Sequence, residues 1–185
     1  MNPNKDISVI IPVFNGEKYI EKTLLTVARQ TTLPLEIIVV DDGSQDNTCE
    51  VIESFIYAYP EITTTLVKGH HLGPGAARNT GIATARGSWI AFLDSDDLWF
   101  PKKLEVTANY YKHNTETNFI CHNEIHRKDD VDKQINYFRK YDRSKSLTSQ
   151  LFQRSFLSTS AIVCKKSLLS KYDGFDISLP NAQDF

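Results

Sequence analysis

Trp89-Ile90-Ala91-Phe92-Leu93-Asp94-Ser95-Asp96-Asp97 sets five apolar residues in an unbroken run directly ahead of three carboxylates. A short apolar run of this kind suits a strand covered on both faces, as in a parallel sheet. The carboxylates then lie just past its carboxyl end, the edge at which open α/β sheets bind ligands. Crowding like charges is unfavourable unless a cation lies between them. A hard divalent ion such as Mg²⁺ or Mn²⁺ prefers oxygen ligands and leaves coordination sites for phosphate. An isolated Asp-x-Asp is more often a polar turn, so the surrounding pattern decides its meaning.

Upstream, strands and helices alternate. Ile7-Ser8-Val9-Ile10-Ile11 reads as a buried first strand stopped by Pro12, with Val13-Phe14-Asn15-Gly16 as the turn. A helix from about Glu17 carries Ile20, Leu24, Val27 and Ala28 on one face and ends by Thr31, Thr32 and Pro34. Glu36 to Val40 is a second strand that runs directly into Asp41-Asp42-Gly43-Ser44. Ser44 or Asp46 is placed to cap the next helix, whose buried face is Val51, Ile52, Phe55 and Ile56 and which Pro60 closes. Thr63 to Val67 is a β-branched third strand. A glycine-rich loop, residues 68–75, then leads into a small-residue helix over 76–85 that predicts close approach to the sheet or to a ligand, with Gly87 as its stop. Alternation of this kind argues a parallel α/β sheet. Asp41 and Asp94, at the ends of two such strands, then share one edge.

Beyond Asp97 the pattern changes. A helix with Leu104, Ala108 and Tyr111 inward is followed by a strand at Phe119-Ile120-Cys121. The mixed-charge segment 127–133 reads as a solvated loop. A helix over 149–156, a strand over 159–163 and a short helix over 165–171, ended by Asp173-Gly174, complete the pattern. The chain stops abruptly at Asn181-Ala182-Gln183-Asp184-Phe185, which reads as a truncated carboxyl end. With 185 residues there is enough chain for one domain. The net charge of −2 gives no reason to expect nucleic acid as a partner. Cys49, Cys121 and Cys164 match neither a zinc spacing nor a disulfide framework, which predicts reduced thiols in a cytoplasmic protein.

The order of these pieces resembles family-two glycosyltransferases of the GT-A fold. The resemblance is carried by Val9 to Asn15, Ile38 to Asp46, Gly75-Ala76-Ala77-Arg78-Asn79-Thr80-Gly81, Ala91 to Asp97, and Gly174-Phe175-Asp176 with Gln183-Asp184. It implies one catalytic domain over 1–185, with a nucleotide-binding part at about 5–100 and an acceptor-side part at about 101–185. It also implies a nucleotide-sugar donor, usually UDP-linked, held with Mn²⁺ or Mg²⁺ at the carboxyl ends of the strands of a mainly parallel sheet flanked by helices. Carried over by position, Pro12, Val13 and Asn15 line the nucleotide pocket and Asp41 accepts a hydrogen bond from the base. Arg78 approaches the diphosphate or braces the acidic loop. Asp96 is the direct metal ligand, Asp94 contacts ribose or metal-bound water, and Ser95 between them joins the nucleotide-binding set. Asp97 caps the following helix. The late Glu-Asp pair of the family reads Gln183-Asp184 here. Asp184 is then the base that activates the acceptor hydroxyl, and attack opposite the leaving group inverts the anomeric carbon. The implied enzyme moves a hexose or N-acetylhexosamine onto a glycan or lipid-linked acceptor in bacterial surface-polysaccharide assembly, in the cytoplasm or at the inner face of a membrane. Peripheral membrane association and a homodimer are both compatible with it.

Three other readings compete. Gly73-Pro74-Gly75 opening a helix, with Asp94 some way on, superficially matches a dinucleotide fingerprint, but Arg78 occupies the third glycine position and the turn follows the third strand. A sugar-nucleotide nucleotidyltransferase would want a basic glycine-rich loop after the first strand, and Val13-Phe14-Asn15-Gly16 has no basic residue. A non-catalytic nucleotide- or glycan-binding domain is the third; the carboxylates at Asp41, Asp94, Asp96 and Asp184 speak against a decayed site.

Overall fold

The structure, a computed structural model, describes residues 6–129, 131–139, 141, 142, 144–146, 149, 150 and 157–178. The first half alternates as the periodicities require: β1 (Ile7–Val13), α1 (Ile20–Ala28), β2 (Glu36–Asp41), α2 (Thr48–Ala58), β3 (Thr64–Lys68), α3 (Pro74–Thr84), β4 (Trp89–Phe92) and α4 (Lys103–His113). The second half adds β5 (Phe119–Cys121), β6 (Glu124–Lys128), β7 (Val131–Ile135), β8 (Ile162–Lys165) and α5 (Lys166–Lys171). Six strands form one sheet in the order β3-β2-β1-β4-β8-β5. The first four in that order run parallel, and β8 is antiparallel to both of its neighbours. The sheet is mainly parallel and flanked by helices.

Both faces of the central strands are covered, which explains their apolar runs. Ile7, Val9, Ile11 and Val13 of β1 pack with Ile20 and Leu24 of α1, Ile52 of α2 and Leu104 of α4. Ile10 points the other way, with Ile38 and Val40 of β2 and Ala77 and Ile82 of α3. Each such Ile or Leu contributes about 1.5–3 kcal/mol by leaving water. The small residues of α3 allow its close approach to the sheet. A Cβ on Gly81 would stand 2.4 Å from Ile10 Cγ2.

Several local expectations are corrected. Pro12 does not stop β1, which continues to Val13 in register with Asp41. The Ile10 carbonyl accepts the Leu93 N–H, so Pro12, two residues on, faces the same side, past the last β4 pairing at Ile10–Phe92. Its missing donor falls where no ladder bond is needed. Gly87 is not the stop of α3, which ends at Thr84. It is glycine because a Cβ there would lie 2.6 Å from the Asp6 carbonyl oxygen. The 127–133 segment is not a loop. It forms most of the antiparallel β6–β7 hairpin, turned at Asp129 (φ 50°) and tied by a two-bond Arg127–Asp132 pair. Arg127, Lys128, Asp132 and Lys133 are exposed, as expected, but on ladder positions. Residues 159–161 form a 3-10 turn, and the strand begins at Ile162. Ser160 instead bonds the Asp94 N–H through its hydroxyl, and the Trp99 indole and Lys103 ammonium through its carbonyl. Of the helix expected over 149–156, Ser149 and Gln150 are helical and the remainder lies outside the described residues.

Candidate active site

The carboxyl ends of β1, β2 and β4 open onto a cleft of about 250 Å³. Pro12, Val13 and Phe14 line it from β1, Asp42 from the β2 loop, Pro74 and Arg78 from α3, and Asp94, Ser95 and Asp96 from the acidic loop. The cleft therefore brings together Pro12, Val13, Arg78, Asp94, Ser95 and Asp96. Asp41 and Asn15 lie outside its lining. Asp41 is 3% exposed, accepts the Ser44 N–H on its carboxylate, and receives the Cys49 thiol at 3.5 Å. Asn15 takes a left-handed backbone (φ 51°), accepts the Gln45 N–H and donates its own N–H to Ser44 Oγ. It pins the β1 turn to the β2 turn. Asp184 and Gln183 lie outside the described residues.

Arg78 is the centre of the site. Its side chain is 5% exposed, yet it makes one ion pair, Nη2 to Asp94 Oδ1 at 2.7 Å. Nε and Nη1 are buried without a hydrogen-bond partner among the described residues. The guanidinium also stands 5.4 Å over the ring of Phe175, which meets Phe92 of β4 edge-on. Phe175 is held in turn by Asn79, whose side-chain amide donates to the Phe175 carbonyl and accepts the Phe175 N–H, each at 2.8 Å. Gly174 is forced by this clamp. Its φ is 74°, and a Cβ would fall 2.3 Å from Asn79 Oδ1.

The acidic loop is held by its backbone, which lets its carboxylates stay close together. Thr23 Oγ1, on the buried face of α1, bridges the Ser95 and Asp97 carbonyls at 2.8 and 3.0 Å. The Asp94 N–H donates to Ser160 Oγ at 2.9 Å. Asp96 is exposed and makes no hydrogen bond or ion pair among the described residues. Asp97 does not cap α4, which begins at Lys103 without a side-chain cap. Its carboxyl is half-buried and bonded to Ser160. Burial, with the charges of Asp94, Asp96 and Glu124, raises its pKa against that bond. The cap of α2 is shared: Asn47 holds the position, while Asp46 Oδ1 accepts the Thr48 N–H at 3.1 Å.

Four contributors escaped the sequence reading. Asp42 accepts the Leu72 and Gly73 N–H groups at 2.9 and 2.8 Å and so fixes the loop that launches α3. The repeated acid in Asp41-Asp42 was its one visible signal. Phe14 stacks on His71, with ring centroids 4.1 Å apart, and forms an aromatic wall of the cleft. Thr23 and Ser160 carry no motif at all.

A geometry of strand-end carboxylates with a buried, half-satisfied arginine can be set beside known proteins. The glycosyl transferase family 2 model matches residues 8–173. The chain belongs to glycosyl transferase family 2. Within the family it is similar to an uncharacterized glycosyltransferase of Haemophilus influenzae, 38% identical over 108 residues, covering 58% of this chain and 43% of that protein. It is also similar to the chondroitin synthase of Escherichia coli, 27% identical, covering 97% of this chain and 25% of that protein. The solved structure of S. aureus TarS 1-349 in complex with UDP superimposes with a TM-score of 0.77 at 25% identity, over 97% of this chain and 52% of that one. A mannosyltransferase from Pyrobaculum calidifontis shares the fold, with a TM-score of 0.69 at 22% identity, over 97% of this chain and 49% of that one. The sheet order and strand-end cleft are thus those of the GT-A fold. The chain spans less than half the length of the first two relatives named.

Proposed function

We propose that the chain transfers a sugar from a UDP-linked donor to an acceptor hydroxyl on a glycan or lipid-linked glycan, with inversion at the anomeric carbon. The observation that carries this reading is Arg78, a buried guanidinium in the wall of a cleft that ends on carboxylates, whose Nε and Nη1 have no partner among the described residues. Buried donors without partners are rare, and a diphosphate would satisfy both. The UDP bound to TarS, and UDP-GlcNAc bound to the same protein, support UDP as the nucleotide.

The residues also fit a divalent ion. Among the described residues no group of three His, Cys, Asp or Glu side chains could hold a metal unaided. Two carboxylates, Asp94 and Asp96, open onto the diphosphate cleft, which suits Mg²⁺ or Mn²⁺ shared with substrate phosphates. Such an ion, when bound, stabilises the charge gathering on the leaving diphosphate. Arg78 would support the same charge, and its bond to Asp94 engages one oxygen of that carboxylate and leaves the other to accept a ligand. Phe14, backed by His71, offers the base an aromatic face. Asp184 takes the proton of the acceptor hydroxyl as that oxygen bonds to the anomeric carbon and the bond to the diphosphate breaks. In this reading residues of about 5–100 hold the donor and those of about 101–185 meet the acceptor. Bacterial surface-glycan assembly on the cytoplasmic side of a membrane is the setting that family membership supports. Among the described residues no helix is long and apolar enough to cross a membrane.

Titration of UDP into the protein with Mn²⁺, with chelator, and into Asp96→Ala tests the donor site. Binding that needs both the metal and Asp96 is expected; NAD binding without metal would overturn it. Asp184→Asn should abolish transfer and leave UDP binding intact.

A further inference from the structure

A second cleft, of about 550 Å³, runs from Asp96 and Asp97 along the start of α4 to the β6–β7 hairpin. We infer that this cleft takes an acceptor saccharide carrying an anionic group, and that the Lys103 ammonium receives that anion. The inference rests on the glycosyl-transfer reading, and its first support is position. Asp96 belongs to both clefts, so an occupant of the second lies beside a sugar held in the first. Its second support is the lining. Phe100, Val106 and Ile125 offer apolar faces, while Asn123 and Ser158 offer hydrogen-bonding groups between them. A sugar ring, with C–H faces and hydroxyl edges, matches that mixture.

Lys103 supplies the charge preference. Its ammonium lies in the wall, donates to the Ser160 carbonyl at 3.0 Å and stands 4.8 Å over the Trp99 ring. Both partners are neutral, and no carboxylate of the described residues lies within ion-pair distance of it. An ammonium has three donors, so a partly buried one with this little compensation gains from an incoming anion. The groups that face it are Asp97 from the acidic loop, Glu124 from β6, Cys121 from β5 and His122 after it. The two carboxylates are engaged elsewhere: Asp97 with Ser160, and Glu124 with the Tyr137 hydroxyl. Burial outweighs their pull and brings Lys103 down to about 8, while burial and the Lys103 charge bring His122 down to about 4. His122 is therefore neutral when Lys103 titrates. An anion favours the charged ammonium, so anion affinity should fall as pH rises through about 8.

A carboxylate on a uronic acid and a phosphodiester in a phosphate-linked glycan present the same chemistry here. The test titrates three probes into the chain saturated with UDP and Mn²⁺: a uronic-acid oligosaccharide, the same oligosaccharide with its carboxyls reduced to alcohols, and a phosphate-linked glycan oligomer. At least one charged probe should bind about tenfold more tightly than the neutral one, the size of effect a charged hydrogen bond gives. The one that does so names the source of the anion. Lys103→Met should abolish the preference with UDP binding retained, and Lys103→Arg should keep it. In the unaltered chain the preference should decline above pH 8 while neutral-probe binding holds. Equal binding of charged and neutral probes, no binding of either charged probe, or a preference that survives in Lys103→Met would overturn the inference. Failure of UDP itself to bind would instead overturn the glycosyl-transfer reading.

Discussion

Replacing Arg78 with methionine distinguishes a structural brace from a ligand-binding group, because the two roles predict opposite pairs of results. As a brace, Arg78 neutralises Asp94 in a loop that also carries Asp96 and Asp97. Removing one partner of a fully buried ion pair costs about 3–5 kcal/mol. Asp94, however, is 33% exposed on its side chain, so solvent screens the pair, and an exposed pair is worth only about 0–1 kcal/mol. The cost of breaking this pair then falls near 1–2 kcal/mol. Against it stands a gain. Nε and Nη1 are buried without partners among the described residues, and each such group costs about 1–3 kcal/mol of desolvation that methionine does not incur. Methionine also keeps most of the contact with Phe175. The ligand-free protein should therefore lose no stability, and on these figures gains between about 0 and 5 kcal/mol.

Ligand binding behaves otherwise. If Nε and Nη1 meet diphosphate oxygens, methionine removes two hydrogen bonds to charged groups, each worth about 1.5–3 kcal/mol. A loss of about 3 kcal/mol weakens UDP binding by about a hundredfold. Urea unfolding without ligand gives the first quantity, and calorimetric titration of UDP with Mn²⁺ gives the second. Unfolding free energy lowered by more than about 3 kcal/mol, with UDP affinity unchanged, would refute the reasoning and make Arg78 a brace.

Gly81→Ala should destabilise the fold by about 1–3 kcal/mol in urea unfolding, because its Cβ would meet Ile10 Cγ2 at 2.4 Å between α3 and β1. Asn79→Ala removes both bonds to the Phe175 backbone, so it should lower kcat while leaving UDP affinity within about threefold, as expected for a residue that positions the segment past α5. A change confined to UDP affinity would contradict that role. Glu36 is the acid-sensitive group of the core. Burial pushes its carboxyl up, but bonds from Ser8 Oγ and from the Arg86 N–H and guanidinium together outweigh burial and leave it below its ordinary 4.5. The stability it contributes is present above that value and is lost as pH falls through the lowered one. Unfolding free energy should therefore drop below about pH 4.5, and Glu36→Gln should flatten that part of the profile.

The first hundred residues were legible because one physical rule dominates there. A strand buried on both faces must be apolar throughout, and a crossover helix must show one apolar stripe. Val9 to Ile11, Ile37 to Val40 and Trp89 to Leu93 obey the first, and α1 and α2 the second. Asp94 and Asp96, which line the cleft, stood out for a related reason, since a run of charge directly after such a strand breaks sharply with its apolar pattern. What escaped the sequence lies where polar atoms make the decision. Pro12 looked like a terminator because its unpaired side depends on where β4 stops, a fact about another strand. The exposed β6–β7 hairpin has little apolar alternation, so its composition matches a solvated loop. Ser160 was read as part of a strand, and its side-chain and carbonyl bonds became visible only when the acidic loop and α4 were placed beside it.

Ser160 also explains how such a loop can exist. Carboxylates at Asp94, Asp96 and Asp97 repel one another, and an unsupported loop would splay to separate them. Here the support comes through the backbone, from three separate elements. Thr23 of α1 holds the Ser95 and Asp97 carbonyls, Ser160 of the 3-10 turn holds the Asp94 N–H, and Ile10 of β1 accepts the Leu93 N–H. The side chains of Asp94 and Asp96 thus keep oxygens available to the cleft. The Ser160 carbonyl meanwhile accepts from the Trp99 indole at 3.3 Å and from the Lys103 ammonium at 3.0 Å. Ser160 therefore bonds the acidic loop through its hydroxyl while its carbonyl bonds two residues that line the second cleft. A shift of Lys103 on meeting an anion would reach the Asp94 backbone through this one residue, its carbonyl on one side and its hydroxyl on the other.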